Sequence, residues 1–222
     1  MIAVTGAAGV LGGEVLRAAS ADGIPTRALV RRPPEHLAAP GEVVEVDLDD
    51  VASTGRALTG CEMLFLLAGF ADMTGLLAAA REAGVRQVAL LSTGAVEDGD
   101  ETNAVVAMNA TSERAVRASN LHWTILRPSG FQSNALRWLP QLASGNVVRD
   151  PFPDVPIALV DAEGTCVLGR SRSIGRKRLP ERGSRIARLG FGEALLNHAG
   201  APLIARRGAR PLRILSARLV PL

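Results

Sequence analysis

This chain predicts a doubly wound α/β fold built on a parallel, Rossmann-like sheet, and three observations carry the prediction. Short apolar runs alternate with helical periodicities through roughly the first 130 residues. The runs are continuous rather than alternating, which is how strands read when both faces are covered. A glycine-rich turn, Gly6-Ala-Ala-Gly9-Val-Leu-Gly12, joins the first run to the first helix, and strand–turn–helix is the opening of a βαβ unit.

Taken in order, Ile2–Thr5 is a short apolar strand and Val10–Ala21 a helix with Val10, Leu11, Val15, Leu16 and Ala19 on one side. Thr26–Val30 is a second strand, closed by Arg31, Arg32 and the breaker pair Pro33-Pro34. Residues 43–47 form a third strand and Met63–Leu67 a fourth. Residues 76–83 are helical and stop at Gly84, a good residue just past a helix end. The fifth strand spans 85–91, a long helix 104–119, and a sixth strand 123–126. Beyond Arg127-Pro128 the pattern loosens: 134–143 reads as a helix broken by Pro140, and 156–160 as a short strand. After Glu163 periodicity fades. The expected division is therefore a dinucleotide-binding domain over 1–162 and an arginine-rich segment over 163–222.

Composition bounds the class. A 222-residue chain that is 47% hydrophobic and 21% charged is long enough to bury a full core. The two cysteines, Cys61 and Cys166, match no metal-ligand spacing and no disulfide framework, so no metal is expected and a cytoplasmic location is the default. The N-terminus lacks the pattern of a signal peptide, and no apolar stretch is long enough to span a bilayer. The net charge of +3 conceals an asymmetry. Residues 164–222 hold twelve arginines, one lysine and two glutamates, net +11, so the preceding 163 carry −8. A nucleic-acid reading of the basic pI would thus rest on the tail alone, through non-specific contact.

The glycine turn has a specific chemistry. Gly6 permits a tight turn, Gly9 lets the main chain approach a pyrophosphate, and Gly12 lets the helix pack close to the strand. The helix N-terminus then offers N–H groups and a positive dipole end to the phosphates. Gly6, Ala8, Gly9, Val10, Leu11 and Gly12 are accordingly the candidate phosphate-binding residues. The end of the second strand bears on which dinucleotide. An NAD-type site wants an acidic residue there for the ribose 2′-hydroxyl, whereas this chain has Arg31, 25 residues after Gly6, with Arg32 beside it. A guanidinium suits a 2′-phosphate, which favours NADP over NAD, unless both arginines are simply solvated loop charges.

Thr5–Gly12, Arg27–Arg31, Val46-Asp47-Leu48, Ala83-Gly84-Val85, Leu91-Ser92-Thr93 and Thr124–Pro128 followed by Phe131 and Asn134 together resemble the NmrA-like group of atypical short-chain dehydrogenase/reductases. The resemblance covers residues 1 to about 162. It implies that Asp47 and Leu48 lie by an adenine, that Leu67, Ala68 and Gly69 line the adenosine ribose side, and that Ser92, Thr93 and Pro128 approach a nicotinamide. It also implies either an NAD(P)H-dependent reductase of a small carbonyl or quinone substrate, or a regulator that senses the dinucleotide without turning it over. Read without the resemblance, Asp47 could equally be a turn or helix-cap residue, and Ser92 and Thr93 simple turn residues.

Two departures from that group stand out. A Tyr-x-x-x-Lys pair is the usual proton-transfer device of short-chain dehydrogenases, and this chain has no tyrosine at all. The helix that would carry the pair reads Met108-Asn109-Ala-Thr-Ser-Glu-Arg114, without lysine. Catalytic residues are therefore unassigned. His122 is a proton donor by type but opens a strand, and His36 and His198 have no partner at a recognisable spacing. The second departure is the segment after Glu163, whose Arg-, Gly- and Leu-heavy text resembles a GC-rich gene translated out of frame, with a genuine basic tail or surface extension as the alternatives.

Overall fold

The computed structural model describes residues 1–150, 159–160, 185–189 and 213–216. Its elements run β1 (Ile2–Thr5), α1 (Val10–Ala21), β2 (Thr26–Val30), β3 (Glu42–Glu45), α2 (Val51–Leu58), β4 (Met63–Leu67), α3 (Met73–Glu82), β5 (Gln87–Leu91), α4 (Ala104–Ala118), β6 (His122–Pro128), α5 (Leu139–Ala143), β7 (Val147–Asp150), β8 (Arg185–Leu189) and β9 (Arg213–Ser216). The main sheet has the order β3-β2-β1-β4-β5-β6-β8, with every pair parallel. Its first six strands have the order of a Rossmann sheet, which reverses direction between β1 and β4. β7 and β9 form a separate parallel pair.

Continuous apolar strands fill two cores, one on each face. Along β4, Leu64 and Leu66 belong to one core and Phe65 to the other; along β6, Ile125 and Leu126 divide the same way. Each fully buried leucine contributes on the order of 1.5–3 kcal/mol, and Leu16, Leu58, Leu64, Leu66, Leu76, Leu77 and Leu90 are all shut from solvent. Cys61 is buried with them, and burial pushes its thiol up despite the nearby Arg27 guanidinium.

Helix starts follow the sequence. Asp50 caps α2 by accepting from the Ala52 and Ser53 amides, Asp72 caps α3 through Gly75, and Asn103 caps α4 through Val105 and Val106. The α1 helix alone among these four starts at a glycine, Gly9, with no side-chain cap. Between α4 and β6, Asn120 takes a left-handed φ of 59°, the conformation asparagine tolerates best after glycine.

The differences from the sequence expectation have local causes. The helix α2 is absent from the periodicity reading because Ser53, Thr54 and Gly55 weaken it; its Asp50 cap and the α3 packing establish it. The third strand is Glu42–Glu45 rather than 43–47, an edge strand with mostly exposed side chains, and the turn at Asp47 follows it. The fifth strand starts at Gln87 and the α3 helix three residues earlier than expected. The sixth strand runs on to Pro128, because proline at a strand's last residue forfeits no ladder bond that the strand needs. Pro140 does not break a helix: a 3₁₀ turn over Gln132–Trp138 ends first, and Pro140 lies in the first turn of α5. The strand β7 was not expected. Of the 156–160 strand, Val160 forms a bridge with Phe131 and 156–158 fall outside the described residues. In the arginine-rich segment, β8 and β9 are described as strands; the rest of 161–222 lies outside the described residues, as do Cys166 and His198.

Candidate dinucleotide site

Parallel strands bring all their C-terminal ends to one edge, and the point between β1 and β4 where the chain order reverses opens a crevice there. Two ties define it. The Leu67 amide donates to Thr5 Oγ1 at 2.9 Å, joining the ends of β4 and β1. The Gly9 amide donates to the Gly6 carbonyl at 2.9 Å, closing the turn.

The three glycines do different things. Gly6 has φ +63°, and a Cβ on it would stand 2.6 Å from Leu67 Cδ1. A Cβ on Gly12 would stand 2.2 Å from the Gly6 carbonyl oxygen and 2.8 Å from Ala7 Cα, so the helix touches the turn main chain to main chain. Gly9, at φ −89° and ψ 173°, is ordinary extended backbone; its bareness leaves room, since a Cβ there would stand 3.2 Å from the Gly6 oxygen. Ala8, Gly9 and Val10 are exposed at the mouth of the crevice, while Leu11 is half-buried against a core. The result is a concave strip of main chain in front of an uncapped helix, which fits a pyrophosphate.

At the next strand ends, Arg31 and Arg32 are exposed and hold no ion pair among the described residues. Asp47 is exposed, and its Oδ1 accepts from the Asp49 amide at 3.1 Å, so part of its carboxylate already serves the turn; the cap of α2 is Asp50 instead. The Leu48 side chain is in the core, leaving only its main chain for the rim. Asp49 reaches across to accept from the Ala71 amide at 2.9 Å. Leu67 and Ala68 are half-buried and Gly69 exposed at φ +99°. The Gly69 amide donates to Ser112 Oγ on α4, and a Cβ at Gly69 would meet the Met108 sulfur at 2.6 Å.

The far side of the crevice rests on a group that the sequence reading did not single out. Glu113 is wholly buried and receives four hydrogen bonds: from Ser92 Oγ at 2.6 Å, Arg127 Nε at 2.8 Å, Arg127 Nη2 at 2.6 Å and Arg117 Nη2 at 2.6 Å. Burial alone would raise its carboxyl, but the hydrogen bonds from Arg127, Ser92 and Arg117 outweigh that and hold it below the usual carboxylate range. Arg127 also approaches Glu97 at 3.5 Å, and Arg117 lies 5.7 Å from the Trp123 ring centroid. The Ser92 hydroxyl hydrogen is thereby committed to Glu113 and cannot also be given to a ligand. Thr93 Oγ1 accepts from the Ala95 amide, a cap of the following 3₁₀ turn, and Pro128 is the buried end of β6. His122 opens β6 and so stands on the opposite edge of the sheet, away from the crevice. The Asn109 amide donates to the Val105 carbonyl of its own helix. Two signals pointed to Glu113: Arg117 four residues on, and Arg127 in an otherwise apolar strand.

A family described as NAD(P)H-binding matches residues 6–147, more than half the chain. The chain belongs to that family. Its motifs and structural neighbours put it in the NmrA-like, atypical short-chain dehydrogenase/reductase group. Over 167 residues it is 42% identical to a (4-alkanoyl-5-oxo-2,5-dihydrofuran-3-yl)methyl phosphate reductase of Streptomyces griseus, an overlap that takes in 72% of this chain and 58% of the relative. It is 26% identical over 170 residues to an NAD(P)H azoreductase of Xenophilus azovorans, covering 73% and 59%. The chain thus spans somewhat under two thirds of the length of these relatives. An NADPH-dependent quinone oxidoreductase from Escherichia coli superposes with a TM-score of 0.68 at 25% identity, over 86% of this chain and 68% of that one. No helix among the described residues is long and apolar enough to cross a membrane.

Proposed function

We propose that this protein is an NADPH-dependent reductase whose substrate is a small conjugated carbonyl compound, a quinone or an acyl-substituted unsaturated lactone. The observation that carries the reading is a crevice with a main-chain cradle for a dinucleotide and no side chain in position to give a proton. Gly6, Ala8, Gly9, Val10 and Gly12 would hold the pyrophosphate, Arg31 the 2′-phosphate, and Thr93 and Pro128 the nicotinamide end. When bound, a reduced nicotinamide supplies hydride.

The missing acid bears on the substrate. Reduction of a simple ketone leaves a strongly basic alkoxide, which a general acid must quench as it forms. The chain has no tyrosine, Ser92 is committed to Glu113, and His122 is on the wrong edge. A quinone or a doubly activated alkene instead leaves a delocalised anion that water can protonate, so positioning suffices. The relatives agree in kind: an unsaturated lactone bearing a second carbonyl, an azo compound and a quinone all accept hydride in this way.

The test is NADPH oxidation, followed by absorbance, with a quinone, an acyl-dihydrofuranone phosphate and a saturated ketone. Turnover of either conjugated acceptor with none of the ketone is expected. Equal turnover of the ketone would overturn the acid-free reading. Tight NADPH binding without any turnover across conjugated acceptors would make the protein a dinucleotide sensor.

A further inference from the structure

The segment that follows β2 does not leave the molecule but folds back onto α1. A Cβ on Gly13 would stand 3.0 Å from the Ala38 Cβ, so the two backbones meet with only a glycine between them. Together they enclose a cavity of about 350 Å³ whose lining includes Ala8, Gly9 and Gly13 on one side and His36 and Ala38 on the other, with Arg17 along the helix. Arg17 gives its Nε and Nη2 to Glu14, at 3.2 and 2.6 Å, which leaves Nη1 on the Gly13 side. The imidazole of His36 donates an N–H in either protonation state. No acidic side chain lines the cavity, although Glu14 and Glu35 flank it in sequence.

We propose that His36 and Arg17 form the inner wall of a phosphomonoester subsite that selects NADP(H) over NAD(H). This rests on the reading of the protein as an NADPH-binding reductase and adds two specificity residues to it. A dinucleotide laid over the glycine turn brings its adenosine ribose between that turn and the end of β2, and this cavity opens from Ala8 and Gly9 toward the segment after β2. A 2′-phosphate there meets donors on one side from His36 and Arg17. Arg31, which is not part of the lining, supplies charge from the strand end. Gly13 belongs to the same device, because any side chain on it would lift the segment and move His36 away from the turn.

The test uses adenosine 2′,5′-bisphosphate and AMP as probes, titrated calorimetrically against the full chain, so that no turnover is needed. The parent is expected to bind the bisphosphate at least about tenfold more tightly than AMP. The double variant Arg17→Gln/His36→Gln should lose about five- to tenfold of that preference, all of it on the bisphosphate side, and His36→Lys should restore part of it. Both positions are exposed, so folding is not at stake. A parent preference that survives intact in the double variant overturns this proposal and leaves the NADPH reading standing. A parent with no preference overturns both.

Discussion

Around β1, β2 and β4 the crevice is made of main chain and small residues, whereas around β5 and β6 it rests on a buried carboxylate bound by two arginines and a serine. On the first side, geometry comes from what is missing: Gly12 lacks a Cβ that would overlap the Gly6 carbonyl, and α1 lacks a side-chain cap. On the second, it comes from charge: Glu113 links β5, α4 and β6 through Ser92, Arg117 and Arg127. Phosphates are bound well by amides that cost little to arrange, so the nucleotide side needs almost no side chains. The other side carries an ionic tie, which costs much to desolvate and holds only while every partner is present.

That contrast can be broken at its strongest point first. Glu113→Ala leaves Arg127, with Glu97 at 3.5 Å, and the Ser92 hydroxyl without their buried acceptor, so it should cost about 3–5 kcal/mol of stability, measured by urea denaturation. A loss below about 1 kcal/mol would mean that the charges solvate themselves once released.

The same carboxylate predicts an acid limb. Its folded-state pKa lies below that of an unfolded glutamate, about 4.3. Its contribution is therefore fully present above that value and disappears as pH falls through the folded one. The stability gap between the parent and Glu113→Gln should accordingly narrow as pH falls from neutrality to below about 4. A gap that stays constant over that range would show that ionisation of Glu113 does not matter.

Gly12→Ala tests the nucleotide side. The helix has to back away from the turn, at a cost of roughly 1–3 kcal/mol, and NADPH affinity should fall by at least about tenfold, or 1.4 kcal/mol. Retained affinity would show that the cradle tolerates a displaced helix. The smallest effect belongs to Arg31→Ala, with a loss of about tenfold in NADPH affinity and none in NADH affinity, the size of one charge-assisted hydrogen bond. Equal losses with both nucleotides would move Arg31 from the 2′-phosphate to the pyrophosphate.

The same divide explains how much the sequence could tell. The bounds of β1, α1, β2 and β4 are read directly, because apolar runs, the glycine triplet and Arg31 are all local signals. Glu113 is 21 residues from Ser92 and 14 from Arg127, and no periodicity connects residues that meet only once the strands have paired. Asp47 illustrates a middle case: its place at a strand end is legible, but the Asx turn to Asp49 that occupies one of its oxygens is not. His36 has no partner in sequence because its neighbours, Gly9 and Gly13, contribute main chain rather than side chains.

The cation–π pair of Arg117 and Trp123 has a practical consequence. With no tyrosine and only two tryptophans, the chain's ultraviolet emission comes entirely from Trp123 and Trp138. One rests on the guanidinium that grips Glu113, and the other gives its indole N–H to Asp150 at 3.2 Å. The nucleotide half is optically silent. Replacing Trp138 by phenylalanine would leave a single native fluorophore stationed on the ionic tie, reporting its opening without any attached dye.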